Sequence, residues 1–108
     1  GIQLAAHSLT QTPDGVLVRW QMVDETNIAG FYVWKSNGVE SSRRSELIPS
    51  KVNGQSRQAT TYDWLDVGAM LQHNDAYVLE IIKVDGSSER TVIDVMRGGS
   101  LYLPLITQ

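Results

Sequence analysis

A chain of 108 residues with 42% hydrophobic and 19% charged content has the make-up of one globular domain, large enough to bury a core without a metal or disulfide. The formal net charge of −3 and the scatter of the nine basic residues exclude a clustered nucleic-acid-binding face and a polybasic membrane patch. Absence of cysteine removes disulfide scaffolds, cysteine zinc sites and thiol nucleophiles. No apolar run approaches the roughly 18 residues of a membrane-spanning helix, and no signal-peptide pattern is present. The chain opens on Gly1 rather than Met, which points to a piece of a longer protein.

Residues 2–10 form the first candidate strand, and Thr12-Pro13-Asp14-Gly15 a turn. Val16, Val18, Trp20 and Met22 then alternate with Leu17, Arg19 and Gln21, the period of a strand with one face inward. A polar corner over 24–27 leads into the β-rich run Phe31-Tyr32-Val33-Trp34-Lys35, closed by Ser36-Asn37-Gly38. Residues 39–44 read as a loop and 46–49 as a short edge strand, since Pro49 lacks a ladder donor. Residues 51–60 read as a long mobile connection. Tyr62 and Trp64 share one side of the next strand, and 67–75 is a corner. Residues 76–84, the most apolar segment, form the central strand. Asp85-Gly86 turns it into a last strand over 91–96. No stretch sustains a helical period. The expectation is an all-β, seven-stranded antiparallel sandwich over 1–97, followed by a Gly-rich joint and an apolar tail over 98–108.

These elements resemble a fibronectin type III domain, an immunoglobulin-like sandwich. The resemblance rests on Trp20 in the second strand and on a tyrosine corner of Leu71 and Tyr77. It is closest to the variant of secreted or surface bacterial proteins, through Trp20, Glu25, Asn27 and Gly30-Phe31, then Tyr62, Trp64 and Asp66, then Val84-Asp85-Gly86. The final LYLPLITQ is similar to apolar C-terminal tails of some exported bacterial proteins. The resemblance implies a noncatalytic interaction or spacer module, secreted or on the cell surface, with no cofactor and no catalytic residues. It also implies that the Tyr77 hydroxyl bonds nearby backbone.

The residues themselves offer little chemistry. His7 lies beside Ser8, but no Gly-x-Ser-x-Gly turn exists to expose a nucleophile. The carboxylates Asp24-Glu25, Asp63/Asp66 and Asp75/Asp85 lack the spacing of a calcium loop, so no metal site is expected. Glu25 and Asn27 are expected to cap their own corner.

The aromatics say more. With Phe31 and Val33 inward, Tyr32 and Trp34 face out; with Tyr77, Leu79 and Ile81 inward, Val78, Glu80 and Ile82 share the opposite face. In the resembled fold those strands are neighbours. Tyr32, Trp34, Val78 and Ile82 then make an apolar outer patch, which needs a cover or a partner. Candidate covers are the tail, through Leu101, Tyr102, Leu103 and Leu105, and the 39–60 segment. Candidate partners are a protein or neighbouring domain, a second copy joined through the tail or sheet face, and a carbohydrate stacked on Tyr32 and Trp34. A sorting or export role for the C-terminal segment is the remaining alternative.

Overall fold

A computed structural model describes residues 4–55 and 57–95. The joint and tail expected over 98–108, with Leu101, Tyr102, Leu103 and Leu105, lie outside them.

The order of elements is β1 (Leu4–Thr12), β2 (Gly15–Met22), β3 (Ile28–Ser36), β4 (Ser41–Arg43), β5 (Ile48–Pro49), β6 (Thr60–Val67), β7 (Ala76–Lys83) and β8 (Ser88–Val95). All pairings are antiparallel. One sheet runs β1-β2-β6. The other runs β4-β3-β7-β8, with β5 also on β3.

The alternation read from the sequence places the core between the sheets. Val16, Val18, Trp20 and Met22 of β2 face Phe31 and Val33 of β3 and Tyr77, Leu79 and Ile81 of β7, all buried. Each such side chain contributes about 1.5–3 kcal/mol by leaving water. At the centre, Trp20 stacks on Tyr62 with ring centroids 5.4 Å apart, and Phe31 meets both rings edge-on at 5.5 and 4.7 Å.

Among the described residues there are eight strands rather than seven. The extra one is β4, inside the segment read as a loop. Its Ser-Ser-Arg sequence carries no apolar pattern, because it is an exposed edge held through backbone to β3 at Trp34, Lys35 and Ser36. The edge strand expected over 46–49 contracts to Ile48–Pro49. Between the two pieces, Ser45 continues the stitching: its hydroxyl accepts the Val33 amide at 2.8 Å, while Arg44 and Ser45 donate their amides to the Val33 carbonyl. Gly30 permits β5 to lie this close, since a Cβ there would stand 2.7 Å from the Ile48 carbonyl oxygen.

Residues 51–54 form turns rather than an open connection. Asn27 donates its amide to the Gly54 carbonyl, and Val84 donates to the Asn27 carbonyl. Asn27 itself sits at φ 68, a left-handed conformation that asparagine tolerates better than most residues.

Candidate functional site

The outer face of the larger sheet is where the sequence-predicted surface residues meet. In the β3–β7 register Trp34 stands opposite Val78, Tyr32 opposite Glu80, and Gly30 opposite Ile82. Tyr32, Trp34, Val78 and Ile82 therefore share one face, and all four are half-buried. β8 continues that face with Val92 opposite Val78 and Arg90 opposite Glu80.

The patch is not the uninterrupted apolar surface expected. The Arg43 guanidinium lies 4.5 Å from the Tyr32 ring centroid, and that of Arg90 lies 4.1 Å from the Trp34 ring centroid. Glu80 stands opposite Tyr32 on β7. Its Oε1 accepts the Trp34 indole N–H at 2.8 Å and lies 3.9 Å from Arg90. Both aromatic rings thus already have polar company, and Val92 is left half exposed beside them. The result is an aromatic–arginine platform with one fixed carboxylate.

Glu80 was legible from strand alternation with Val78 and Ile82. Arg90 and Val92 needed the β7–β8 register, which includes a bulge at the Tyr77/Val78 step. Arg43 had no sequence signal, since β4 had none.

Of the predicted corner residues, Trp20, Glu25, Leu71 and Tyr77 are buried and Asn27 is exposed. Glu25 does not cap its own corner. It is fully buried, and its Oε1 accepts the Tyr62 hydroxyl at 2.6 Å and the Ser50 hydroxyl at 2.7 Å, tying β6 and the 50–54 turn to the β2–β3 corner. The pairing arises because Tyr62 points inward on β6 and ends at that corner. The Tyr77 hydroxyl bonds not to nearby backbone but to Asp66 Oδ2, at 2.6 Å across the sandwich. Arg44 grips the same carboxylate at 2.9–3.3 Å. Leu71 is buried, its amide donating to Gln11 Oε1 at 2.8 Å. Two tyrosine–carboxylate bonds therefore brace β6, one through Tyr62 and one through Asp66, four residues apart on its inner face.

Burial and then the bond to Glu25 push the Tyr62 phenol up to about 12. Tyr77 is pushed well above the usual tyrosine range, first by burial and then by Asp66. A phenol whose folded value is raised contributes stability that is fully present below about pH 10, the unfolded value, and lost as pH climbs through the folded one. Urea unfolding should therefore show stability falling between pH 10 and 12. In Tyr62→Phe that alkaline fall should be smaller, although the variant is less stable at pH 8. An alkaline fall as steep as the wild type's would contradict the assignment.

His7 and Ser8 are consecutive strand residues and point to opposite faces, so they cannot pair as base and nucleophile. His7 Nδ1 instead lies 3.8 Å from Asp94 Oδ2 at the open β1–β8 side. His73 is exposed in the corner between β6 and β7. Among the described residues, no three His, Asp or Glu side chains gather where they could hold a metal ion. Among the same residues, no helix is long and apolar enough to cross a membrane. No protein-family model, curated protein or solved structure matches the chain.

Proposed function

We propose that this chain is a noncatalytic protein-interaction module, a fibronectin type III-like sandwich of a secreted or surface bacterial protein. Its working surface is the outer face carrying Tyr32, Trp34, Val78 and Ile82, joined by Arg43, Arg90 and Val92. The fold part of the reading is supported by the pairing of a three-stranded β1-β2-β6 sheet with a β4-β3-β7-β8 sheet, and by Trp20 buried on β2.

The observation that carries the functional part is the pair of arginine-capped aromatics. Tyr, Trp and Arg are the side chains enriched where protein interfaces concentrate their binding energy. Here the rings and guanidinium groups are already fixed against one another, so little side-chain freedom remains to be lost on docking. A sugar would need a bare ring face, and arginine lies over both candidates. That favours a protein partner over a carbohydrate.

Trp34→Ala is the test, with self-association and binding to neighbouring domains of the parent protein as readouts. The expected loss is about 30-fold in affinity, the effect of removing a residue worth about 2 kcal/mol. Unchanged behaviour in both assays would sink the surface assignment. A glycan array on which wild type binds and Trp34→Ala does not would transfer the same face to carbohydrate recognition.

A further inference from the structure

The second feature without a role belongs to the smaller sheet, away from the Tyr32–Trp34 face. An open sheet invites a further strand at its edges, and folded proteins blunt those edges with bulges, prolines, short strands or a cover. Among the described residues, the edges other than β6 are blunted in this way. β1 has an irregular step at Leu4/Ala6 and packs beside β8, whose own pairing with β7 shifts at Tyr77/Val78. β4 has three residues, and β5 has two and ends on Pro49. β6 has none of these devices. It is eight residues long, its register with β2 is unbroken, and it ends the β1-β2-β6 sheet.

No unpaired charge guards this edge either. Asp63 pairs with Arg19 on the outer face, and Asp66 is held by Arg44 and Tyr77 inside. Apolar side chains flank it instead. Val67 is 74% exposed and Leu47, in the segment 44–49 beside it, is 47% exposed, with a groove of about 650 Å³ between β6 and that segment.

The register says which backbone groups are on offer. Gly68 donates its amide to Asp14 across the β2–β6 ladder at 2.8 Å. Bonded positions recur every second residue in an antiparallel pair. Asp66, Trp64 and Tyr62 therefore turn their backbone groups to β2, while Val67, Leu65 and Asp63 turn theirs outward. The next outward position, Thr61, is already used: its carbonyl accepts Lys51 Nζ at 2.6 Å. At the other end Gly68, at φ 78, begins a turn. The open window thus runs from Asp63 to Val67 and is symmetric about Leu65.

We propose that this edge pairs with the same edge of a second copy, β6 antiparallel to β6 about a two-fold axis at Leu65. The window is complementary to itself. Leu65 opposite the partner's Leu65, with Asp63 opposite the partner's Val67, joins every outward position through about six backbone hydrogen bonds. Moving the axis by one residue leaves an outward position of each copy unpaired. Moving it to Asp63 sets two carboxylates opposite each other. The side chains agree with the symmetric register. Leu17 stands opposite Leu65 on the outer face, and both are half-buried. Pairing extends them into the partner's Leu65 and the partner's Leu17, a strip of four leucines across a six-stranded sheet. Two strands make a small interface, so the dimer is weak and follows concentration.

Sedimentation velocity and NMR-resolved amide exchange of the full chain, from about 20 µM to about 1 mM, test this. The weight-average mass should rise from 12.0 kDa toward twice that value. Over the same range the amides of Asp63, Leu65 and Val67 should slow by at least about fivefold. Leu65→Lys and Leu65→Glu should each stay monomeric, because the axis brings the new charge against its own copy. Mixed in equal amounts they should dimerise again, since Lys then meets Glu. The amides of Val18 and Leu79 should remain slow in both variants, showing that the core is intact, and the wild-type readouts decide the proposal even where a variant does not fold. A wild type still monomeric at the highest concentration, a dimer indifferent to both single charges, or a mixture that stays monomeric overturns the proposal. Edge amides that are already slow while the chain is monomeric also overturn it, because the edge is then covered within one copy.

Discussion

Asp66→Ala is expected to lower the unfolding free energy by about 2–3 kcal/mol. The reason is what it strands. The Tyr77 hydroxyl is fully buried, with Asp66 as its bonding partner, so it loses that bond without gaining water. Arg44 is 39% exposed and can rehydrate, which holds the figure below the range for a wholly buried pair. Tyr77→Phe in the Asp66→Ala background should cost little more, because the stranded group is then gone. Asp66→Asn keeps an acceptor oxygen of the same shape and should cost about 1 kcal/mol. Denaturant unfolding of the three variants checks the set. A cost under about 0.5 kcal/mol for Asp66→Ala would mean that the carboxylate does not brace the sandwich.

Gly15→Ala is expected to be equally damaging, for a backbone reason. Gly15 opens β2 at φ 145, where an L side chain is strained, and an added Cβ would collide with the Asp66 carbonyl oxygen and stand 2.9 Å from the Gly68 amide nitrogen. Both are backbone atoms of the facing strand end, so neither can step aside without opening the β2–β6 ladder. A loss of about 2–4 kcal/mol is expected. Gly68→Ala and Gly86→Ala separate strain from collision. Both glycines have positive φ, yet a Cβ at either would meet nothing within 4 Å, so each substitution should cost about 1 kcal/mol. Equal losses at all three positions would refute the steric part of the account.

The inward faces of β2, β3 and β7 were legible because burial on one face of a strand imposes a period of two, and Val16 to Met22 states it without interruption. β4 was not legible, because an exposed edge of Ser41, Ser42 and Arg43 is held by backbone bonds that any residues could make. Glu25 read as a cap of its own corner, since a carboxylate between Asp24 and Thr26 carries no local sign of burial. Its place is set by Tyr62 and Ser50, which are 37 and 25 residues away. Asp66 and Arg44 are 22 residues apart, and the grip of one on the other could not be inferred from either neighbourhood.

The outer patch divides in the same way. Tyr32, Trp34, Val78 and Ile82 followed from alternation plus one strand pairing. Their apolar character did not survive the register, because Glu80, Arg90 and Arg43 come from three different strands and converge on the two rings. What looked like an uncovered hydrophobic surface is a preassembled polar–aromatic one. Under the proposed reading, the partner is a protein face able to meet both rings and cations.

The central claim, that this face engages a protein, is tested most directly by in-cell photo-crosslinking from a benzoylphenylalanine placed at Val78, with Trp34 intact or replaced by Ala. The account predicts a discrete protein adduct from position 78 that disappears in Trp34→Ala and is absent when the probe sits at Met70, in the exposed corner after β6. No protein adduct from position 78, or an adduct indifferent to Trp34→Ala, would contradict it.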